Sequence, residues 1–162
     1  MSDRRDPLPL HDDPALMVQV LARRLASLQL ADVDRAGVGD VRESDGYVFQ
    51  HLLPGPLPVG DLAARLGITQ QGASKAVVDL ERRGLVRRRT DPADRRVRRV
   101  ELTEHALRAV DAARASRMAF ARAVEEELGA RRSAALRRDL ARLVDSTGAA
   151  RTVEERDVQA PS

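Results

Sequence analysis

Between Ile68 and Leu80 the chain reads ITQQGASKAVVDL, and several of its side chains suit the recognition of a nucleic-acid surface. Gln70, Gln71, Ser74 and Lys75 are polar, and Gln71, Ser74, Lys75 and Val78 recur at spacings of three and four. In a helix that spacing places them on one face, opposite Ala73, Val77 and Leu80. Amide side chains on an exposed helix address base edges in a major groove, and Val78 offers an apolar surface to a thymine methyl. Thr69, just ahead of the helix, reads as its N-cap, and its hydroxyl or the neighbouring amides also suit a phosphate. Gln and Ser are equally ordinary on a solvated helix, so these residues gain meaning only from the elements that position them.

Other chemistries are poorly supplied. The chain has no cysteine, which removes disulfides, thiol nucleophiles, thiolate metal sites and cysteine redox sensing. His11, His51 and His105 are far apart in sequence and belong to no His-x-x-x-His or carboxylate-rich metal motif. Glu125, Glu126 and Glu127 form a charged run that reads as a solvated helix face. There is no P-loop, no dinucleotide glycine fingerprint and no Gly-x-Ser-x-Gly. No enzyme, cofactor or metal is expected.

The charge is unevenly distributed. The whole chain of 162 residues has a formal net charge of +3, yet residues 61–99 hold eleven Lys or Arg against five Asp or Glu. The remainder is slightly acidic, and Lys75 is the only lysine among 28 basic residues. A basic block in an otherwise acidic chain is the footprint of a polyanion partner, set against the alternative of a solvated arginine-rich face. No apolar run reaches the roughly 18 residues of a membrane span. The leading MSDRRDPLPLHDDP has no apolar stretch behind its arginines, so no secretory signal is expected and a cytoplasmic location is the simplest reading.

The positioning elements follow from periodicity. A helix is predicted over 15–31, with Val18, Leu21, Leu25 and Leu28 in a stripe and Asp12, Asp13 and Pro14 as start signals. A second is predicted over 43–53, containing Tyr47, Val48 and His51, and stopped by Pro54-Gly55-Pro56-Leu57-Pro58, read as a turn. Val59 to Leu66 reads as a two-turn helix with Leu62, Ala63 and Leu66 inward, closed by Gly67. The helix carrying Gln71 follows and stops at Gly84. Residues 85–90 and 97–102 then read as two short strands, with Val86, Val100 and Leu102 inward and Arg87, Arg89 and Arg99 facing water. A helix-turn-helix followed by a hairpin is a winged helix. Thr103 caps a long helix that breaks at Gly129, and another is predicted over 132–145 with Leu136, Leu140 and Leu143. Residues 149–162 lack a stripe and read as a flexible tail.

The stretch from Leu57 to Thr103, and above all LGITQQGASKAVVDLERRGLVRR with DPADRRVRRVELT, resembles the DNA-binding lobe of the multiple-antibiotic-resistance regulator (MarR) family. The resemblance covers about a third of the chain. It implies a single mainly α domain over 1–162, with a β-hairpin wing and a winged helix-turn-helix lobe at 57–102. Helices at 14–31 and 103–146 would form a homodimer, giving two lobes for one pseudo-palindromic double-stranded operator. The family's groove-reading set falls on Gln70, Gln71, Ser74 and Lys75, beside the cap and phosphate candidate Thr69, and its wing set on Asp94, Arg95 and Arg96, with Arg89 in the same basic hairpin. There the wing Asp orients an Arg by an ion pair, and an Arg reaches the minor groove. Family members mostly repress transcription and often release DNA on binding small aromatic or phenolic effectors between lobe and dimer helices. That position makes the segment from Tyr47 to His51 a candidate pocket wall, with Tyr47 and His51 four apart on one helix. The chain departs from the family where the wing ends, reading Leu102-Thr103-Glu104-His105-Ala106 in place of the common LTxxG. A winged helix used only as a protein-interaction module is the competing expectation, and salt-dependent retention on duplex DNA separates the two.

Overall fold

Proline and aspartate start the first helix as their side chains dictate. In the computed structural model, which describes residues 10–148 except 92 and 95, Asp13 accepts the Leu16 N–H (3.0 Å) and Pro14 opens helix α1, Pro14–Arg35. The helix runs four residues beyond the expected Ala31. Val33 is a core residue inside a polar ADVDR stretch, so burial extends the helix where the apolar stripe fades, and left-handed Gly37 (φ 73°) ends it. Helix α2, Asp45–Leu52, starts two residues later than expected and buries Val48, Phe49 and Leu52. Its late start follows from Asp45, whose carboxylate accepts the Arg42 backbone N–H (2.8 Å) and closes the preceding turn.

The predicted turn at 54–58 ends in a strand. Leu57–Pro58 forms β1, paired antiparallel with Val100 and Arg99. A two-residue edge strand leaves no alternation to read, and its proline is tolerated because an edge strand need not donate on both sides. Helix α3, Val59–Leu66, ends on left-handed Gly67 (φ 66°), and α4, Gln70–Arg82, begins at once with Thr69 as its cap. Strands β2, Val86–Thr90, and β3, Arg98–Leu102, complete a sheet of order β1-β3-β2, with Val86 opposite Leu102 and Thr90 opposite Arg98. Only Val86 of β2 is buried, so the hairpin leaves the body of the protein after one residue.

Helix α5, Glu104–Leu128, is capped by Thr103, which accepts the Ala106 N–H (3.2 Å) and donates its hydroxyl to the Gly84 carbonyl (2.7 Å). One threonine therefore starts the long helix and ties it to the turn after α4. Gly129 separates α5 from α6, Ala130–Thr147. The core lies in the lobe, where Leu62, Leu66, Val77, Leu80, Leu85, Val86 and Val100 meet Val48, Phe49 and Leu52 of α2 and Ala106 and Ala109 of α5. The architecture is mainly α with a small antiparallel wing. Among the described residues no helix is long and apolar enough to cross a membrane. The expected tail at 149–162 lies outside the described residues.

Candidate nucleic-acid interface

The orientation of α4 is set by three residues it buries. Ala73, Val77 and Leu80 are at most 2% exposed and pack on the lobe that Leu62 and Leu66 of α3 fill. Their burial turns the opposite stripe outward. Gln71, Ser74, Lys75 and Val78, joined by Asp79 and Arg82, line a shallow open concavity along the helix. Gln70 is exposed at the helix start beside Thr69. Thr69 is spent as a cap, its Oγ1 accepting the Gly72 N–H (3.1 Å). A Cβ on Gly72 would stand 3.3 Å from that hydroxyl, so the glycine leaves the cap its room. Val78 is 54% exposed, an apolar side chain held in water.

Sequence reasoning missed Asp79 and Arg82 in this concavity. Both follow Ser74, Lys75 and Val78 at helical spacings, the signal that would have found them, and Asp79 sets an acidic group on a face suited to phosphate. The structure supplies the compensation. Asp79 receives Arg82 (2.8 Å), Arg83 (2.9 Å) and Arg42 (3.2 Å), and these donors, Arg82 foremost, hold its carboxyl below the usual carboxylate range against the opposing effect of burial.

Behind this face sits a buried ion pair. The Arg83 side chain, 3% exposed, grips Asp45 of α2 bidentately at 2.6 and 2.9 Å and donates to the Asp40 carbonyl at 2.7 Å. Hydrogen bonding to Asp45 raises the already high pKa of the guanidinium, outweighing the effect of burial. Asp40 has a left-handed backbone (φ 60°), which brings its carbonyl within reach of Arg83 in the turn between α1 and α2.

The wing carries its arginines outward. The Arg89 side chain is 65% exposed and lies 3.5 Å from Glu101 Oε1, which Arg87 Nε approaches at 2.5 Å. Asp94 and Arg96 are both exposed at the tip, and Asp94 Oδ1 accepts the Arg96 backbone N–H (2.9 Å), closing a two-residue turn. Arg95 lies outside the described residues. The ion pair that the structure describes at the base of the wing joins Arg99 to the buried Asp91. Arg99 is thus half-covered rather than fully in water as expected, because it also donates to the Pro56 carbonyl (3.3 Å) beside β1. Asp91 accepts the Ala93 N–H (2.8 Å), and that bond first, then Arg99, lowers its pKa.

A cavity of about 220 Å³ opens between α1, the 41–43 segment, α2 and α5. Leu30, Val33, Phe49 and Val110 give it apolar walls, and Arg42, Arg114 and Arg117 give it charge. Neither Tyr47 nor His51 is among its lining residues. The wall of α2 is the stripe Gly46, Phe49, Gln50 and Leu53, and Tyr47 and His51 sit on the adjoining stripe. Tyr47 packs against the lobe core, and His51 is half-buried, its pKa lowered by burial and by Arg65 of α3.

Residues 44–97 match the MarR family model, which spans the lobe from α2 to the wing. The chain is similar to a MarR-like transcriptional regulator of Thermotoga maritima, at 25% identity over 90% of this chain and 99% of that one, with a TM-score of 0.65. It is similar in fold to S. aureus MepR in a DNA complex, at 20% identity, 81% and 95% coverage and a TM-score of 0.66. A third match is the PcaV transcriptional regulator of Streptomyces coelicolor with its natural ligand, at 20% identity, 88% and 99% coverage and a TM-score of 0.55. No curated protein sequence matches the chain significantly.

Proposed function

We propose that this chain, whose residues 44–97 match the MarR family model and whose fold is that of a MarR-like regulator, acts as a homodimeric, ligand-responsive repressor on a pseudo-palindromic site in double-stranded DNA. Its action is binding, since regulators of this family are not enzymes. One observation carries the reading: Gln71, Ser74, Lys75 and Val78 face outward in one row on a helix whose other side is locked into the core. Such a row reads base edges, while Thr69 and Gln70 at the helix start and Arg89, Asp94, Arg95 and Arg96 of the wing hold register and phosphate or minor-groove contacts. The similar fold of MepR bound to an oligonucleotide supports the same use here.

Dimerisation is supported by apolar side chains outside the lobe. Val18 and Leu21 of α1, Met118 of α5 and Leu140 and Leu143 of α6 are 44–61% exposed, and α6 buries only Ser133 within the described chain. Helices with such stripes need a partner, and a second copy also brings two recognition helices to a symmetric site. For the effector, the cavity beside α2 supports a small aromatic acid, as its walls combine a ring-sized apolar space with arginines. PcaV, with its natural ligand, has the same fold.

Selection of bound fragments from random duplex DNA tests the proposal. The expected product is a two-fold motif with half-sites about one helical turn apart, bound with steep salt dependence. Recovery of no motif, with retention that ignores salt, would leave the protein-interaction reading instead.

A further inference from the structure

Arg42 belongs to two places at once. It lines the cavity beside α2, and its Nη1 lies 3.2 Å from Asp79 Oδ2 on α4. Asp79 in turn lines the outward concavity with Gln71, Ser74 and Lys75. The backbone of Arg42 is fixed, because its N–H is held by Asp45, itself clamped by the buried Arg83. Its side chain is 55% exposed and carries the guanidinium outward from that fixed base. Arg82 (2.8 Å) and Arg83 (2.9 Å) hold Asp79 independently of Arg42 contacts.

We infer that Arg42 couples the cavity to the recognition helix: an aromatic carboxylate in the cavity draws Arg42 from Asp79 and thereby weakens duplex binding. The inference rests on the effector reading above and adds its route of transmission. The charged groups on the cavity wall are Arg42, Arg114 and Arg117 against Glu43, an excess of positive charge that suits an anion. Leu30, Val33, Phe49 and Val110 suit a ring, and about 220 Å³ is below the roughly 300–1,000 Å³ of sites for larger molecules. With Arg42 turned inward, the α4 face loses one positive charge and Asp79 loses one of its three arginines. Both changes oppose the approach of phosphates. An exposed ion pair is weak, so the competition is reversible and its coupling factor is roughly two- to fivefold.

Competition has a sign that a merely structural role lacks. Removing the competitor frees Arg42, so Asp79→Asn should bind the ligand more tightly. Benzoate is the probe, with benzamide as its uncharged counterpart of the same shape. Calorimetry on the full-length protein measures benzoate binding, and anisotropy on the selected duplex measures DNA affinity with and without it. The wild type is expected to bind benzoate, not benzamide, and to lose roughly two- to fivefold in duplex affinity when benzoate is bound. Asp79→Asn should bind benzoate about two- to fivefold more tightly and show no benzoate effect on its own duplex affinity. Arg42→Gln, at an exposed site that folding does not depend on, should lose benzoate affinity by at least about fivefold and also lose the effect. Benzoate binding to the wild type with unchanged or weaker binding to Asp79→Asn would overturn the coupling and leave the effector site standing. Should Asp79→Asn fail to fold, unchanged benzoate affinity in Arg42→Gln would overturn it equally. Wild-type protein that ignores benzoate would overturn the effector reading and the coupling together.

Discussion

Replacing Arg83 by methionine removes the cation that joins α4 to the start of α2. The Arg83 side chain is 3% exposed and that of Asp45 7%, so water cannot substitute for the lost partner. Breaking a buried pair from one side costs about 3–5 kcal/mol, because it strands the other charge. Two structural details place this site at the lower end. Arg83 Nε is buried without a partner among the described residues, so its removal relieves an existing penalty. Asp45 also keeps the Arg42 backbone N–H at 2.8 Å. The expected loss is therefore about 3 kcal/mol, or roughly 6–12 °C in Tm for a chain of this size. Urea unfolding at fixed protein concentration measures it, since the stability of the proposed homodimer would depend on concentration. The pair Arg83→Met with Asp45→Leu then completes a double-mutant cycle. Two apolar side chains strand no charge, so the double variant should be more stable than Arg83→Met alone. A loss under about 1 kcal/mol for Arg83→Met, or strictly additive effects, would refute the idea of a buried, mutually dependent pair.

Gln71→Ala should weaken the preferred duplex by about 1–3 kcal/mol and random duplex far less, whereas equal losses in titrations of both would assign Gln71 to the backbone or to folding. Asp94→Ala should weaken duplex binding at every salt concentration despite deleting a negative charge, because the Asx turn that poses Arg96 is lost; tighter binding would mean that long-range charge dominates. Asp91 has a depressed pKa, so its contribution to stability is present above the unfolded carboxylate pKa of about 3.9 and is lost as pH falls through the lower folded value. Asp91→Asn should thus be less stable than wild type at pH 7, with the gap closing below about pH 4 in urea melts; a gap constant with pH would contradict this. Leu140→Glu with Leu143→Glu on α6 should turn the proposed homodimer into monomer in sedimentation at micromolar concentration while far-ultraviolet circular dichroism holds, and a variant as dimeric as the wild type would remove α6 from the interface.

Local chemistry was enough for most of the lobe. Thr69 and Thr103 cap their helices, Gly67 takes the left-handed turn, and Ala73, Val77 and Leu80 face inward, because each outcome depends on interactions within a few residues or on a 3.6-residue period. The outward row of Gln71, Ser74, Lys75 and Val78 follows from the same period. What escaped depends on partners distant in sequence. The β1 strand exists only because Val100 and Arg99 lie beside Leu57 and Pro58. Arg99 is drawn from water by Asp91 and the Pro56 carbonyl, and the last turn of α1 survives because Val33 reaches the core. Within the segment from Tyr47 to His51, the cavity is lined by Phe49 and Gln50, since the packing of α2 between lobe and long helices chooses which stripe meets empty space. Arg42, Arg83, Asp45 and Asp79 look like scattered surface charges in the sequence. Only the approach of α4 to the start of α2 gathers them, and low solvent access makes the Arg83–Asp45 pair strong enough to hold a shape while Arg42 stays exposed beside Asp79.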